Sequence, residues 1–224
     1  MSYTLIWVCL IFAVVDWAAV ATQRKMVEYI AKPGAMILLL IWLYQVSGFS
    51  GALVWFALGL VFSLVGDVFL MLPREQFIAG LIAFLLAHIA YIVGFFRTPV
   101  ALNLSGLIIA VVITLVMLRL YRRIAGGLDQ SGKSALKPPV LVYSLVISVM
   151  LLLALLTMTG EQWQTVPALL VSAGALLFFI SDALLAWNKF VIPLRQGRFI
   201  SIIPYHLGQI LLTIGAALHY LPPA

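Results

Sequence analysis

The stretch Gly51–Leu72 reads GALVWFALGLVFSLVGDVFLML. It is long enough to cross a hydrocarbon core, which takes about 20 apolar residues, and its single charged group is Asp67. A carboxyl at such a position costs on the order of 2–3 kcal/mol or more in lipid and is retained mainly where it has a use. A second stretch, Phe178–Phe190 (FFISDALLAWNKF), repeats the arrangement around Asp182. These two stretches predict membrane-spanning helices, each carrying one acid.

The rest of the chain agrees. Of its 224 residues, 65% are hydrophobic and only 9% charged, and the mean hydropathy is +1.19. These values place the chain in the polytopic membrane class. Apolar runs and their breaks predict an all-α chain of eight transmembrane helices in one domain, residues 1–224. The expected spans are Thr4–Ala21, Pro33–Val46, Gly51–Leu72, Gln76–Phe96, Ala101–Leu120, Pro139–Met158, Val166–Trp187 and Ile200–Tyr220. The second is short for a crossing. Pro33 and Pro139 suit first-turn positions. Gly48–Gly51, Pro73, Pro99, Gly126-Gly127, Gly160 and Pro193 punctuate the runs, and Tyr121–Pro138 reads as a long, mobile, basic loop. The first apolar run contains Asp16 and exceeds a signal-peptide core, so it reads as a retained helix. Trp7, Trp42, Trp55 and Trp163 read as interface anchors.

Charge is distributed unevenly. The side holding the first, third, fifth and seventh connections carries Arg24, Lys25, Lys32, Arg74, Arg119, Arg122, Arg123, Lys133, Lys137, Lys189, Arg195 and Arg198; the other side has Arg97. By the positive-inside rule the basic side is cytoplasmic and both termini lie outside. The net charge of +6 is thereby explained by helix flanks and gives no reason to expect nucleic acid. Short loops and no targeting signal suit a bacterial inner membrane.

Asp67 and Asp182 fall at equal depth beneath the cytoplasmic face, each five residues before the predicted end of its helix. Lys32-Pro33 with Gly66-Asp67, against Lys137-Pro138 with Ser181-Asp182, fits a 4+4 parallel pseudo-repeat; chance similarity between apolar helices fits as well. Further polar groups converge on the same half. Gly59, Ser63, Gly66 and Asp67 share one face of the third helix; Ser63 there serves either helix packing or substrate. Gly80, Phe84, His88 and Tyr91 form a stripe on the fourth. Ser181, Asn188 and Lys189 lie along the seventh, where Lys189 either snorkels or meets a headgroup. Tyr205, His206 and Gln209 open the eighth, and Lys32 stands at the mouth of the second. Asp16 either joins this cavity or pairs with Arg24, and His219 lies near the opposite face.

Other chemistries fit less well. His88, His206 and His219 form no His-x-x-x-His pair, so no metal site is expected. Ser63 and Ser181 lack a nucleophile elbow. Cys9, the single cysteine, excludes an intrachain disulfide.

The ordered set Lys32-Pro33, Gly66-Asp67, His88-x-x-Tyr91, Ser181-Asp182, Asn188-Lys189-Phe190, Tyr205 and Gln209 resembles the lysoplasmalogenase (YhhN-like) integral membrane family over nearly the whole chain. The resemblance implies hydrolysis of the vinyl ether bond of a lysoplasmalogen to a fatty aldehyde and glycerophosphoethanolamine or glycerophosphocholine. It requires no cofactor, and the partners it implies are a lysophospholipid substrate and the bilayer. The residues can supply this chemistry, because two carboxyls can divide the work of acid and base. On this reading Asp67 and Asp182 are the catalytic pair, with His88 beside them. Tyr91, Tyr205 and Gln209 orient the reacting groups, Lys32, Asn188 and Lys189 hold the phosphate, and Ser63 and Ser181 complete the substrate site. The rival reading is a small-molecule or lipid transporter with an intramembrane Asp site. It predicts a site near mid-membrane reachable from both faces, whereas the polar set is skewed to one face.

Overall fold

A computed structural model of the chain describes residues 2–72, 76–100 and 103–221. Pro73, Arg74 and the expected start of the fifth span at Ala101 lie outside the described residues. The elements are α1 (Thr4–Ala21), α2 (Lys25–Ser47), α3 (Leu53–Met71), α4 (Phe77–Phe95), α5 (Leu104–Gln130), a 3-10 turn at Ser134–Leu136, α6 (Lys137–Leu156), α7 (Thr165–Phe190) and α8 (Gly197–Tyr220). All eight α-helices are long and apolar enough to cross a membrane. Backbone polar groups in lipid must be satisfied within the chain, and the helix does this locally. The protein is an integral, multi-pass membrane protein.

Several element boundaries differ from expectation, the start of α8 at Gly197 instead of Ile200 among them. The second helix begins at Lys25, not Pro33, so it has 23 residues and is not short. Pro33 lies inside it, where it removes the donor for the Tyr29 carbonyl. The fifth helix runs on to Gln130, so most of the expected Tyr121–Pro138 loop is helical. Ile124 and Leu128 recur at helical spacing on this extension and pack with Val140 and Phe190. Gly127 is no break there: a Cβ at this position would lie 1.8 Å from the Phe190 carbonyl oxygen, so its bareness admits that backbone. The seventh helix continues to Phe190, placing Asp182 about two turns from its end, while Asp67 is one turn from the end of α3. The equal depth expected from the sequence therefore does not follow from the helix ends. Prolines 138 and 139 do sit in the first turn of α6, Gly48 closes α2 in the left-handed region at φ +56°, and Asn103 caps α5 by accepting from Gly106 N at 2.8 Å.

Sequential helices pack as hairpins: α1 on α2, α3 on α4, α5 on α6 and α7 on α8. Any chain of short-looped spans pairs in this way, so the pairing does not bear on the 4+4 repeat. Helix α8 lies at the centre against α1, α2, α3 and α7, with 61% of its apolar window enclosed, whereas α5 has 17% and faces the lipid. The α7–α8 contact is the most extensive. A Cβ on Gly174 would fall 2.6 Å from Leu212 N, and one on Gly208 would fall 2.9 Å from Gly174 O. Small residues let backbones approach in this way when burial from water contributes nothing between spans. Two of the expected interface anchors belong to the core instead. Trp42 and Trp163 are buried; Trp42 donates its indole N–H to Ser2 O, and Trp163 stacks on His219 with centroids 3.6 Å apart.

Candidate active site

Asp67 is placed by α3 with almost no exposure. Lys32 of α2 meets it at 2.8 Å, and Tyr205 of α8 donates its hydroxyl to Asp67 Oδ2 at 2.6 Å. Tyr205 also lies under the Lys32 ammonium, 5.5 Å from ring centroid to Nζ. Burying two opposite charges is tolerable when both are hydrogen-bonded, and removing one partner alone is what becomes costly.

Asp182 is held differently. Tyr143 of α6 donates its hydroxyl to Asp182 Oδ2, and His88 Nε2 of α4 approaches the same oxygen at 3.3 Å and the Tyr143 oxygen at 3.0 Å. The His88 ring is fully buried and packs on Phe178 at 4.7 Å. Asp67 thus has a cation and a phenol as partners, and Asp182 has a phenol and an imidazole.

The two acids face one cavity of about 340 Å³, whose wall includes Lys32, Asp67, Asp182, Ser181 and Tyr205. Lys25, Glu28, Asn188, Lys189 and Arg198 also line it. Glu28 and Arg198 form an ion pair there, with the arginine side chain 56% exposed, so this end of the cavity opens at the surface. The arrangement offers basic groups at the mouth and carboxyls inside.

Several expected site residues, in the cavity wall or away from it, have structural partners of their own. Tyr91 donates to Gln209 Oε1 at 2.6 Å, and Gln209 Nε2 donates to Ser63 Oγ at 2.8 Å. This chain ties α4, α8 and α3 together and is not part of the cavity wall. Tyr91 fits because Gly59 is bare, its would-be Cβ lying 2.2 Å from the ring. Ser181 donates to Ser201 O at 2.8 Å. Asn188 accepts from Leu194 N at 2.7 Å and holds the α7–α8 turn. Lys189 lies over the Phe77 ring, 4.7 Å from its centroid. Asp16 neither lines the cavity nor pairs with Arg24: it is fully buried in α1, with no hydrogen-bond partner for either oxygen among the described residues. His219 serves structure, bonded to Thr98 at 3.2 Å.

Sequence reasoning missed Tyr143, Glu28 and Arg198. Tyr143 stands in the apolar run of α6 with no motif around it, and only the packing of α6 on α4 and α7 brings its hydroxyl to Asp182. Glu28 was hidden by reading the chain before Pro33 as a loop. Among the described residues no three His, Cys, Asp or Glu side chains gather as metal ligands would.

Fold and site together define a polytopic membrane protein with a two-carboxyl cavity towards one end of its helix bundle. Residues 27–216 match the model of the YhhN family, and the chain belongs to that family. It is 32% identical over 195 residues to lysoplasmalogenase TMEM86B of Mus musculus, covering 87% of this chain and 77% of the mouse protein. It is 34% identical over 161 residues to lysoplasmalogenase TMEM86A of Homo sapiens, covering 70% of this chain and 63% of the human one. It is 26% identical over 192 residues to the uncharacterized membrane protein YhhN of Escherichia coli O157:H7, covering 83% and 85%. No solved structure matches the chain.

Proposed function

We propose that this protein is a lysoplasmalogenase, a membrane ether hydrolase that cleaves the vinyl ether bond of lysoplasmalogens by carboxyl-based acid/base chemistry. The observation that carries the reading is one cavity with two carboxyls in unlike settings, Asp67 beside Lys32 and Asp182 beside Tyr143 and His88. The lysoplasmalogenases among its relatives supply the substrate class.

The reaction begins with transfer of a proton to the outer alkenyl carbon, giving an oxocarbenium ion. Asp182 is the donor, with Tyr143 and His88 orienting its oxygen. The cation forms within reach of Asp67, whose negative charge opposes it; a fixed charge aimed at developing charge in a dry site is an effective form of stabilisation. Water adds to the cationic carbon and returns a proton to Asp182. The hemiacetal then collapses, its hydroxyl proton passing through the Asp182 carboxyl to the departing glycerol oxygen, and the aldehyde and the glycerophospho-headgroup are released. The sum is one water consumed and both carboxyls restored. Arg198, Lys25 and Lys189 at the mouth suit the phosphate, which a guanidinium can meet with two parallel hydrogen bonds. Lys32, already engaged with Asp67, acts chiefly on that acid. The basic face is the cytoplasmic one, so the product headgroup leaves to the cytoplasm, and a bacterial inner membrane suits such a chain.

The test is to incubate purified protein with a lysoplasmalogen and with the matching acyl lysolipid. Aldehyde from the first and no fatty acid from the second is the expected result. Fatty acid from the second, or no aldehyde from the first, overturns the reading.

A further inference from the structure

Asp182 borders a second space. On the side of Asp182 away from Lys32, a narrow, largely apolar groove is lined by Leu81 of α4, Met117 and Ile124 of α5, Ile147 of α6 and Phe179 of α7. Its polar groups are Tyr143, Ser144 and Asp182. Leu70, Phe84, Asp182 and Leu185 line both the groove and the polar cavity, so the two spaces meet at the carboxyl.

The helices around the groove leave it a side opening. Helix α4 packs on α3 and α6, and α5 packs on α6 and α7, but α4 and α5 do not pack on each other among the described residues. Both nevertheless line the groove, with α6 and α7 as its floor. Helix α5 is also the most lipid-exposed of the eight. The gap between α4 and α5 therefore faces the bilayer.

We propose that this groove is the binding site for the hydrocarbon chain of the substrate, entered sideways from the bilayer between α4 and α5. A single-chain amphiphile needs an apolar and a polar compartment that meet at the bond between its tail and its head, and here they meet at Asp182. The carbons next to the ether oxygen lie against Leu81, Met117 and Ile147, the remaining chain passes out into lipid, and the phosphate sits in the cavity. This rests on the lysoplasmalogenase reading for the identity of the head and of the scissile bond.

Two measurements test it. In the first, wild-type protein in liposomes is irradiated with a lysophosphatidylethanolamine carrying a diazirine near the head end of its chain, and the labelled residues are mapped by mass spectrometry. Labelling concentrated on Met117, Ile124 and Ile147 is expected; labelling spread over lipid-facing positions such as Trp7 and Ile11, without enrichment in the groove, overturns the site. In the second, the ratio of kcat/KM for an alkenyl lysoplasmalogen methyl-branched at the third chain carbon to the unbranched one is compared between wild type and Ile147→Ala. A rise in that ratio of about tenfold or more is expected, since one methyl-sized group in an apolar pocket alters discrimination by that order; an unchanged ratio overturns the site. Groove labelling without aldehyde release would leave the chain site standing and sink the reaction, whereas aldehyde release without groove labelling would do the reverse.

Discussion

Asp67 and Asp182 are the same residue type in similar apolar helices, and their neighbours make them chemically distinct. The Lys32 ammonium lies 2.8 Å from Asp67, while Asp182 has Tyr143 and His88. If the two acids share the chemistry as proposed, Asp67→Asn and Asp182→Asn each lower kcat by about 10²–10⁴-fold, the usual range for loss of a positioned acid or base. The check is the aldehyde assay on protein whose thermal melt in detergent matches wild type. A near wild-type rate in either variant removes that residue from the mechanism. Tyr143→Phe keeps the ring beside His88 (centroids 5.4 Å apart) and deletes the hydroxyl that Asp182 accepts from. Tyr143 lines the groove, but the deleted hydroxyl serves Asp182, so kcat is expected to fall about tenfold while KM stays the same. A rise in KM with kcat unchanged would make Tyr143 a binding residue instead.

At the scale of the helices, the contact that sets the geometry of α7 and α8 is backbone on backbone. Gly174 and Gly208 face each other across it, and carbonyls and amides cannot give way as a flexible side chain does. Gly208→Val is therefore expected to lower stability by about 1–3 kcal/mol, the range for overpacking, read as a lower melting temperature in detergent. Gly126→Ala has open space around it and is expected to leave the melt unchanged or raise it, since alanine is the better helix former. The same elements explain what the sequence could convey at this level. The eight spans were legible because apolar runs of the right length have few other uses. Their ends were not. Lys25–Lys32 and Tyr121–Gln130 are polar enough to resemble loops, and they are helical because Glu28 meets Arg198 and because Ile124 and Leu128 pack on Phe190, partners distant in sequence.

For the molecule as a whole, the basic side of the chain and the mouth of the cavity coincide, because Lys25, Lys189 and Arg198 both flank helices and line that mouth. The proposed orientation follows from this. Cysteines placed at Lys133, between α5 and α6, and at Ser50, between α2 and α3, are both exposed and lie at opposite ends of the helices. The native Cys9 is buried and should not interfere. With a membrane-impermeant maleimide added to intact cells, the Ser50→Cys protein is expected to be labelled and the Lys133→Cys protein only after lysis; the reverse pattern would place the cavity on the outer side.

The sequence by itself determined the helices, the basic face and the two acids that stand out against lipid. Each of these is a matter of composition along a single span, so no partner is needed to read it. It also carried Lys32, His88 and Tyr205 as candidate site residues, without their pairings. Only the tertiary structure decided that Lys32 belongs to Asp67, that His88 and a tyrosine from an otherwise apolar helix belong to Asp182, and that Ser63, Tyr91 and Gln209 bond to one another away from the cavity. Helical periodicity gives the face a side chain occupies on its own helix. Which helix it meets depends on how eight of them pack, and among apolar surfaces that choice rests on bare glycines and a few buried hydrogen bonds between residues far apart in the chain.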